Sequence, residues 1–213
     1  MIKAILFDFD GTLIDTNNLI FQSYRTAFKQ VLNRDISDEE ILTLYGRPLY
    51  ASLMEYGEPG ERLYNAYREF NETRHDKLVK GFDGAADGVR IIKEMGFKTG
   101  IVTAKRLHMV KRGLVIMGLE DAFDVIITPD DTQKSKPDPE PVLCGCKKLN
   151  VLPSETVYVG DSIFDMEAGK SAGTLLCAVK YTLTPVEKMS AFNPRFFVDS
   201  MIELADLLRS EGC

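Results

Sequence analysis

Short apolar runs that alternate with helical patterns constrain the fold of this chain more than any other feature. The runs are IKAILFDF (2–9), FKTGIVTA (97–104), DVIIT (124–128), TVYVGD (156–161) and TLLCAVK (174–180), with RFFVD (195–199) as a further candidate. They are nearly continuous in hydrophobicity, so strands built from them would be buried on both faces. A sheet of such strands is a parallel one covered by helices. Helix-like segments do fall between the runs, at about 84–95, 107–117, 139–149, 164–172 and 200–209. The expected fold class is α/β, with a Rossmann-like parallel-sheet core.

One region departs from this rhythm. Between Asn17 and Lys80 there is helical periodicity but no strand pattern, as in NLIFQSYRTAFKQVL (18–32) and ERLYNAYREFNETRHDKLV (61–79). Ser37 followed by Glu40 resembles a capping box that opens another helix. The expected organisation is a core of residues 1–15 and 83–213, with an inserted α-helical domain at 16–82. Gly81 and the turn-like Phe82-Asp83-Gly84 mark the return. An insert entering there is expected to sit over the carboxyl ends of the strands.

Composition narrows the partners. A net charge of −6 without a basic block argues against nucleic acid or an anionic membrane as partner. No apolar stretch approaches the roughly 18 residues of a membrane span, and the N-terminus lacks the layout of a signal peptide. Cys144, Cys146, Cys177 and Cys213 form no C-x-x-C pair. They are read as reduced thiols of a cytoplasmic protein. Monomer or weak homodimer is the expected state.

The stretch ILFDFDGTLIDT (5–16) ends an apolar strand on two carboxylates. Ionised groups are costly to desolvate there unless a cation or a chemical task repays the cost. In an open parallel sheet, ligands collect at the carboxyl ends of the strands. The polar residues at those ends are Asp8 and Asp10, Thr103, Lys136, and Asp161 with Asp165. Gly11 permits a tight turn, so Thr12 and nearby N–H groups can approach an anion. Lys105 and Arg106 are read as solvated, and His75 and His108 as structural or surface residues.

The ordered set DFDGT, VTAK, SKPDPEP and VGDSIFDMEAG resembles the four motifs of the haloacid dehalogenase-like phosphatases, and the helical insert resembles that family's cap. The resemblance implies a Mg²⁺-dependent hydrolysis of a small phosphorylated metabolite. Asp8 would be the nucleophile that forms an aspartyl-phosphate, and Asp10 the acid and then the base. Thr103 and Lys136 would hold the phosphoryl oxygens. Gly11, Thr12 and Ala104 would contact substrate. Mg²⁺ would be bound by Asp8, the Asp10 carbonyl and Asp161, with Asp165 orienting that set.

Presence of Asp10 argues against carbon–halogen cleavage. Ile20, where the family's mutases carry a histidine, and Thr12 favour net hydrolysis. LYGRPLY (44–50) resembles the cap's specificity loop, so Gly46 and Arg47 are candidate substrate contacts, and Arg47 could grip a second anionic group. YREFNETRHDKLV and PDPEPVL are similar to a small pyrophosphate-hydrolysing branch, close to the phosphoglycolate phosphatases. Pyrophosphate and phosphoglycolate therefore lead as substrates. A sugar phosphate, a nucleoside monophosphate, or a non-catalytic binding role follow.

Overall fold

The computed structural model describes residues 1–211; Cys213 lies outside them. The chain divides into two compact units, residues 1–15 with the chain from Lys80 onward, and Thr16–Val79.

The first unit is built on a six-stranded, all-parallel sheet. Its strands are β1 (Ala4–Phe7), β4 (Lys98–Val102), β5 (Val125–Ile127), β6 (Thr156–Gly160), β7 (Leu175–Val179) and β8 (Phe196–Val198), in the order β5-β4-β1-β6-β7-β8. β1 lies between β4 and β6, with Phe7 level with Ile101 on one side and Val159 on the other. Every residue of β1 is buried, as expected of a strand covered on both faces. Helices α7 (Glu140–Leu149) and α8 (Ile163–Ala172) meet Leu6, Val102, Ile127 and Tyr158 in one apolar cluster.

Helices α5 (Ala85–Glu94) and α10 (Met201–Ser210) cross closely, because a Cβ at Gly88 would lie 2.3 Å from the Met201 carbonyl carbon. α6 (Leu107–Met117) presses on Phe9 at Gly113, where a Cβ would come within 2.7 Å of the ring. A short helix, α9 (Val186–Ser190), precedes β8; nothing in the sequence pattern announces it.

Two further two-residue strands, β2 (Ile14–Asp15) and β3 (Lys80–Gly81), pair antiparallel. They correct the expected boundary: the compact helical unit ends at Val79, not at residue 82, because Lys80 and Gly81 are tied to the chain leaving β1.

The second unit consists of α1 (Asn17–Leu32), α2 (Asp38–Leu44), α3 (Leu49–Met54) and α4 (Gly60–Leu78). α1 and α4 pack along each other around Tyr24, Phe28, Leu63 and Tyr67. The Tyr24 and Tyr67 rings meet edge to face at 4.8 Å, and Phe28 meets Tyr56 at 5.1 Å, a favoured aromatic geometry. Ser37 does cap α2, its hydroxyl accepting the Glu40 N–H at 3.1 Å. The Glu40 carboxylate binds Arg34 and Tyr56.

Candidate active site

Asp8, Thr103 and Asp161 are each the first residue beyond a strand, after β1, β4 and β6 respectively. These three strands are neighbours, so a parallel sheet delivers the three side chains to one rim. All three are buried. Asp165 joins them from the first turn of α8, where it is also buried and forms a capping box with Ser162. One Asp165 oxygen accepts the Ser162 hydroxyl at 2.5 Å and its N–H at 3.1 Å. The other accepts Tyr158 at 3.0 Å and Lys136 at 2.6 Å.

Lys136 arrives on the long loop between β5 and α7. Its ammonium donates to Asp8 at 2.7 Å as well as to Asp165. The nearby Lys134 points elsewhere and pairs with Asp138 at 2.9 Å with its side chain largely exposed. Burial pulls the Lys136 ammonium down, but the Asp165 and Asp8 carboxylates outweigh it and hold it well above the usual lysine range. Burial pushes Asp8 up to about 7 against the pull of Lys136, and the neighbouring acids add to the rise. Asp161 is likewise pushed well up by burial and by Asp165 and Asp8.

Glycines make room for this crowding. Gly11 has φ +82°, and a Cβ there would lie 2.4 Å from an Asp161 carboxylate oxygen. A Cβ at Gly160 would lie 2.3 Å from that of Asp165. The Gly11 N–H donates to the Ile14 carbonyl at 2.9 Å and so closes the tight turn. Thr12 places its hydroxyl 3.3 Å from Asp161.

Oxygen atoms of Asp8, Asp161 and Asp165 lie within 4.8 Å of one another. This set is all oxygen, buried, and has one ammonium against three carboxylates, which is the donor chemistry of a hard divalent cation. The residues fit such an ion. Without one, the raised proton affinities of Asp8 and Asp161 measure how poorly the site tolerates its own charge.

Asp10 stands apart from that cluster. Its carboxylate accepts Lys105 Nζ at 2.6 Å, and the Lys105 side chain is 11% exposed. This corrects the reading of Lys105 as solvated: the helix-side loop after Thr103 folds it inward, and the Thr103 hydroxyl accepts the Lys105 N–H at 3.1 Å. Arg106 and Ala104 are exposed. Ala104 nonetheless lines a small pocket with Thr103, Thr128 and Lys136.

Other groups escaped sequence reasoning. Thr182, beyond β7, donates to the Asp161 carbonyl at 2.7 Å, and Tyr181 donates to the Thr12 carbonyl at 2.8 Å. The strand-end rule could have found both, since they follow TLLCAVK directly. Tyr158 could not be found that way, being mid-strand in an apolar run. Gly46 and Arg47 belong to the helical unit; Gly46 has φ +76° and Arg47 is ion-paired with Glu55.

Among the described residues no helix is long and apolar enough to cross a membrane. Cys144, Cys146 and Cys177 are free thiols.

The family model described as haloacid dehalogenase-like hydrolase matches residues 5–179. A relative from Clostridium perfringens named "Putative pyrophosphatase PpaX" is 47% identical over 209 residues, 98% of each chain. The pyrophosphatase PpaX of Bacillus velezensis is 37% identical over 212 residues, 99% of this chain and 97% of its own. Among solved structures, a haloacid dehalogenase-like hydrolase from Streptococcus pneumoniae superposes with a TM-score of 0.87 over 97% of this chain and 98% of its own. At 18% identity that likeness is one of fold.

Proposed function

From the premise that this chain belongs to the haloacid dehalogenase-like hydrolases and is a phosphatase-type enzyme, we propose that it cleaves inorganic pyrophosphate through an aspartyl-phosphate on Asp8. The chemistry rests on one observation, the buried Asp8–Lys136–Asp165 chain of ion pairs with Asp161 beside it. The choice of substrate draws its support from the 47% identity to a relative that carries the pyrophosphatase name.

In this reading Lys136 orients Asp8 by holding Oδ1, as a positioned cation does in phosphoryl transfer. The Thr103 hydroxyl accepts from the Lys105 N–H and keeps its own hydrogen for a phosphoryl oxygen. Asp8, Asp161 and the Asp10 carbonyl, backed by Asp165, would hold a Mg²⁺ ion, which supplies charge neutralisation at the phosphoryl oxygens. Asp10 takes the proton from the water that opens the acyl phosphate. Tyr158 and Ser162 fix Asp165, and Thr182 and Tyr181 fix the backbone at Asp161 and Thr12. Gly46 and Arg47 are proposed as further substrate contacts, Ala104 likewise, and Arg47→Ala should raise KM about tenfold with little change in kcat.

The test is phosphate release from pyrophosphate, phosphoglycolate, a sugar phosphate and a nucleoside monophosphate with Mg²⁺, beside Asp8→Asn. Pyrophosphate should give the highest kcat/KM, and the variant should be inert. A monoester ahead of pyrophosphate overturns the substrate assignment, and an active Asp8→Asn protein overturns the nucleophile.

A further inference from the structure

Two largely buried lysines of this rim are divided between its acids. Lys136 serves Asp8 and Asp165, whereas Lys105 pairs with Asp10 at 2.6 Å. Asp8, Asp161 and Asp165 set against Lys136 leave an excess of negative charge that a divalent cation would balance. Asp10 and Lys105 form a separate pair with no such excess. Lys105 is also held in place: its side chain is mostly buried, its ammonium sits 5.8 Å from the centre of the Phe9 ring, and its backbone N–H is bound by Thr103.

We propose that Lys105 is a leaving-group residue, which makes the Asp10 end of the site accept an anionic leaving phosphate in place of a neutral alcohol. This inference rests on the pyrophosphatase reading and adds to it the residue that sets substrate class. A lone Asp10 carboxylate would repel a departing phosphate, since like charges at contact oppose each other strongly where water is scarce. With Lys105 beside it, that end of the site carries no net charge and offers an ammonium donor.

The step balances without a proton from Asp10. The Asp8 carboxylate bonds to one phosphorus of a singly protonated pyrophosphate. The bond from that phosphorus to the bridging oxygen breaks, and its electron pair leaves on that oxygen. The departing group is hydrogen phosphate, which keeps the proton the substrate brought, and Lys105 faces its charge. Water then attacks the acyl phosphate, its proton passes to the Asp10 carboxylate, and Asp8 is released. An alcohol leaving group carries no such phosphate charge for the Lys105 ammonium to face.

The experiment compares wild type, Lys105→Met and Lys105→Arg with Mg²⁺ on two substrates, pyrophosphate and glycerol 2-phosphate. Calorimetry with the non-hydrolysable imidodiphosphate gives a second readout. The Met variant should lose about 10- to 100-fold more kcat/KM on pyrophosphate than on the glycerol ester, and bind imidodiphosphate weaker by a similar factor. The Arg variant should recover most of both. Equal losses on the two substrates, or no loss, overturn the inference alone. A wild-type enzyme that neither binds imidodiphosphate nor cleaves pyrophosphate overturns the substrate reading and this inference with it.

Discussion

The two units of this molecule treat charge in opposite ways. In the helical unit the ion pairs lie outside: Arg34 with Glu40 and Arg25 with Asp38 have side chains 31% to 57% exposed, around a core of Phe28, Leu53, Leu63 and Tyr67. In the sheet unit the Lys136–Asp165 pair is 12% and 1% exposed, and two more buried acids adjoin it. Surface pairs add little to stability, and buried ones often cost more in desolvation than they return. The helical unit is therefore held by its apolar and aromatic packing. The charged rim of the sheet unit finds its reason in the proposed phosphoryl transfer and not in stability.

Substitutions in the two units should separate accordingly. The largest effect expected is that of Asp161→Asn, which removes a proposed Mg²⁺ ligand: kcat/KM should fall by about 100-fold or more, while circular dichroism stays that of the wild type. A variant that keeps both activity and Mg²⁺ affinity would break the contrast. Phe28→Ala in the helical unit should do the reverse. It removes a fully buried ring set edge to face with Tyr56, at a cost of about 3–5 kcal/mol in urea unfolding.

A smaller effect sharpens the comparison through pH. Asp8 binds a proton up to about pH 7 when folded, well above the ordinary carboxylate range. Between that range and 7 the folded chain holds a proton that the unfolded chain has lost, so this group's contribution to stability falls as pH rises through the window. The metal-free protein should accordingly melt lower at pH 8 than at pH 5 as far as Asp8 decides it. Added Mg²⁺ should raise the midpoint by about 2–8 °C at pH 8 and by less at pH 5, as read by thermal denaturation with EDTA or Mg²⁺. Equal Mg²⁺ effects at the two pH values would contradict the charge account. Smallest of all, Arg34→Ala should cost about 1 kcal/mol or less, since it loses an exposed pair and one contact over the Phe28 ring.

Much of this was legible in the chain because periodicity is a local signal. The six strands of the main sheet fall inside runs such as FKTGIVTA and TVYVGD, and α1 and α4 match the two long amphipathic stretches to within a residue. What escaped was set by partners distant in sequence. The β2–β3 ribbon is two residues on each side and carries no pattern, so the edge of the helical unit was misplaced by three residues, at 82 instead of Val79. Lys105 reads as an ordinary loop cation until Asp10 is brought to it across 95 positions. Tyr158 reads as one more apolar strand residue until its hydroxyl reaches Asp165. Asp165, by contrast, was legible as a motif residue, and the structure adds that it caps the start of α8.

The central claim is that the buried acids exist to pass a phosphoryl group through Asp8. Its most direct test is to quench the enzyme during turnover of pyrophosphate with Mg²⁺ and map the added phosphoryl mass by peptide mass spectrometry. The account predicts the label on the peptide that carries Asp8, acid-stable and lost at high pH as an acyl phosphate is, and absent from Asp8→Asn. Steady turnover with no label at Asp8, or turnover that survives Asp8→Asn, would contradict it.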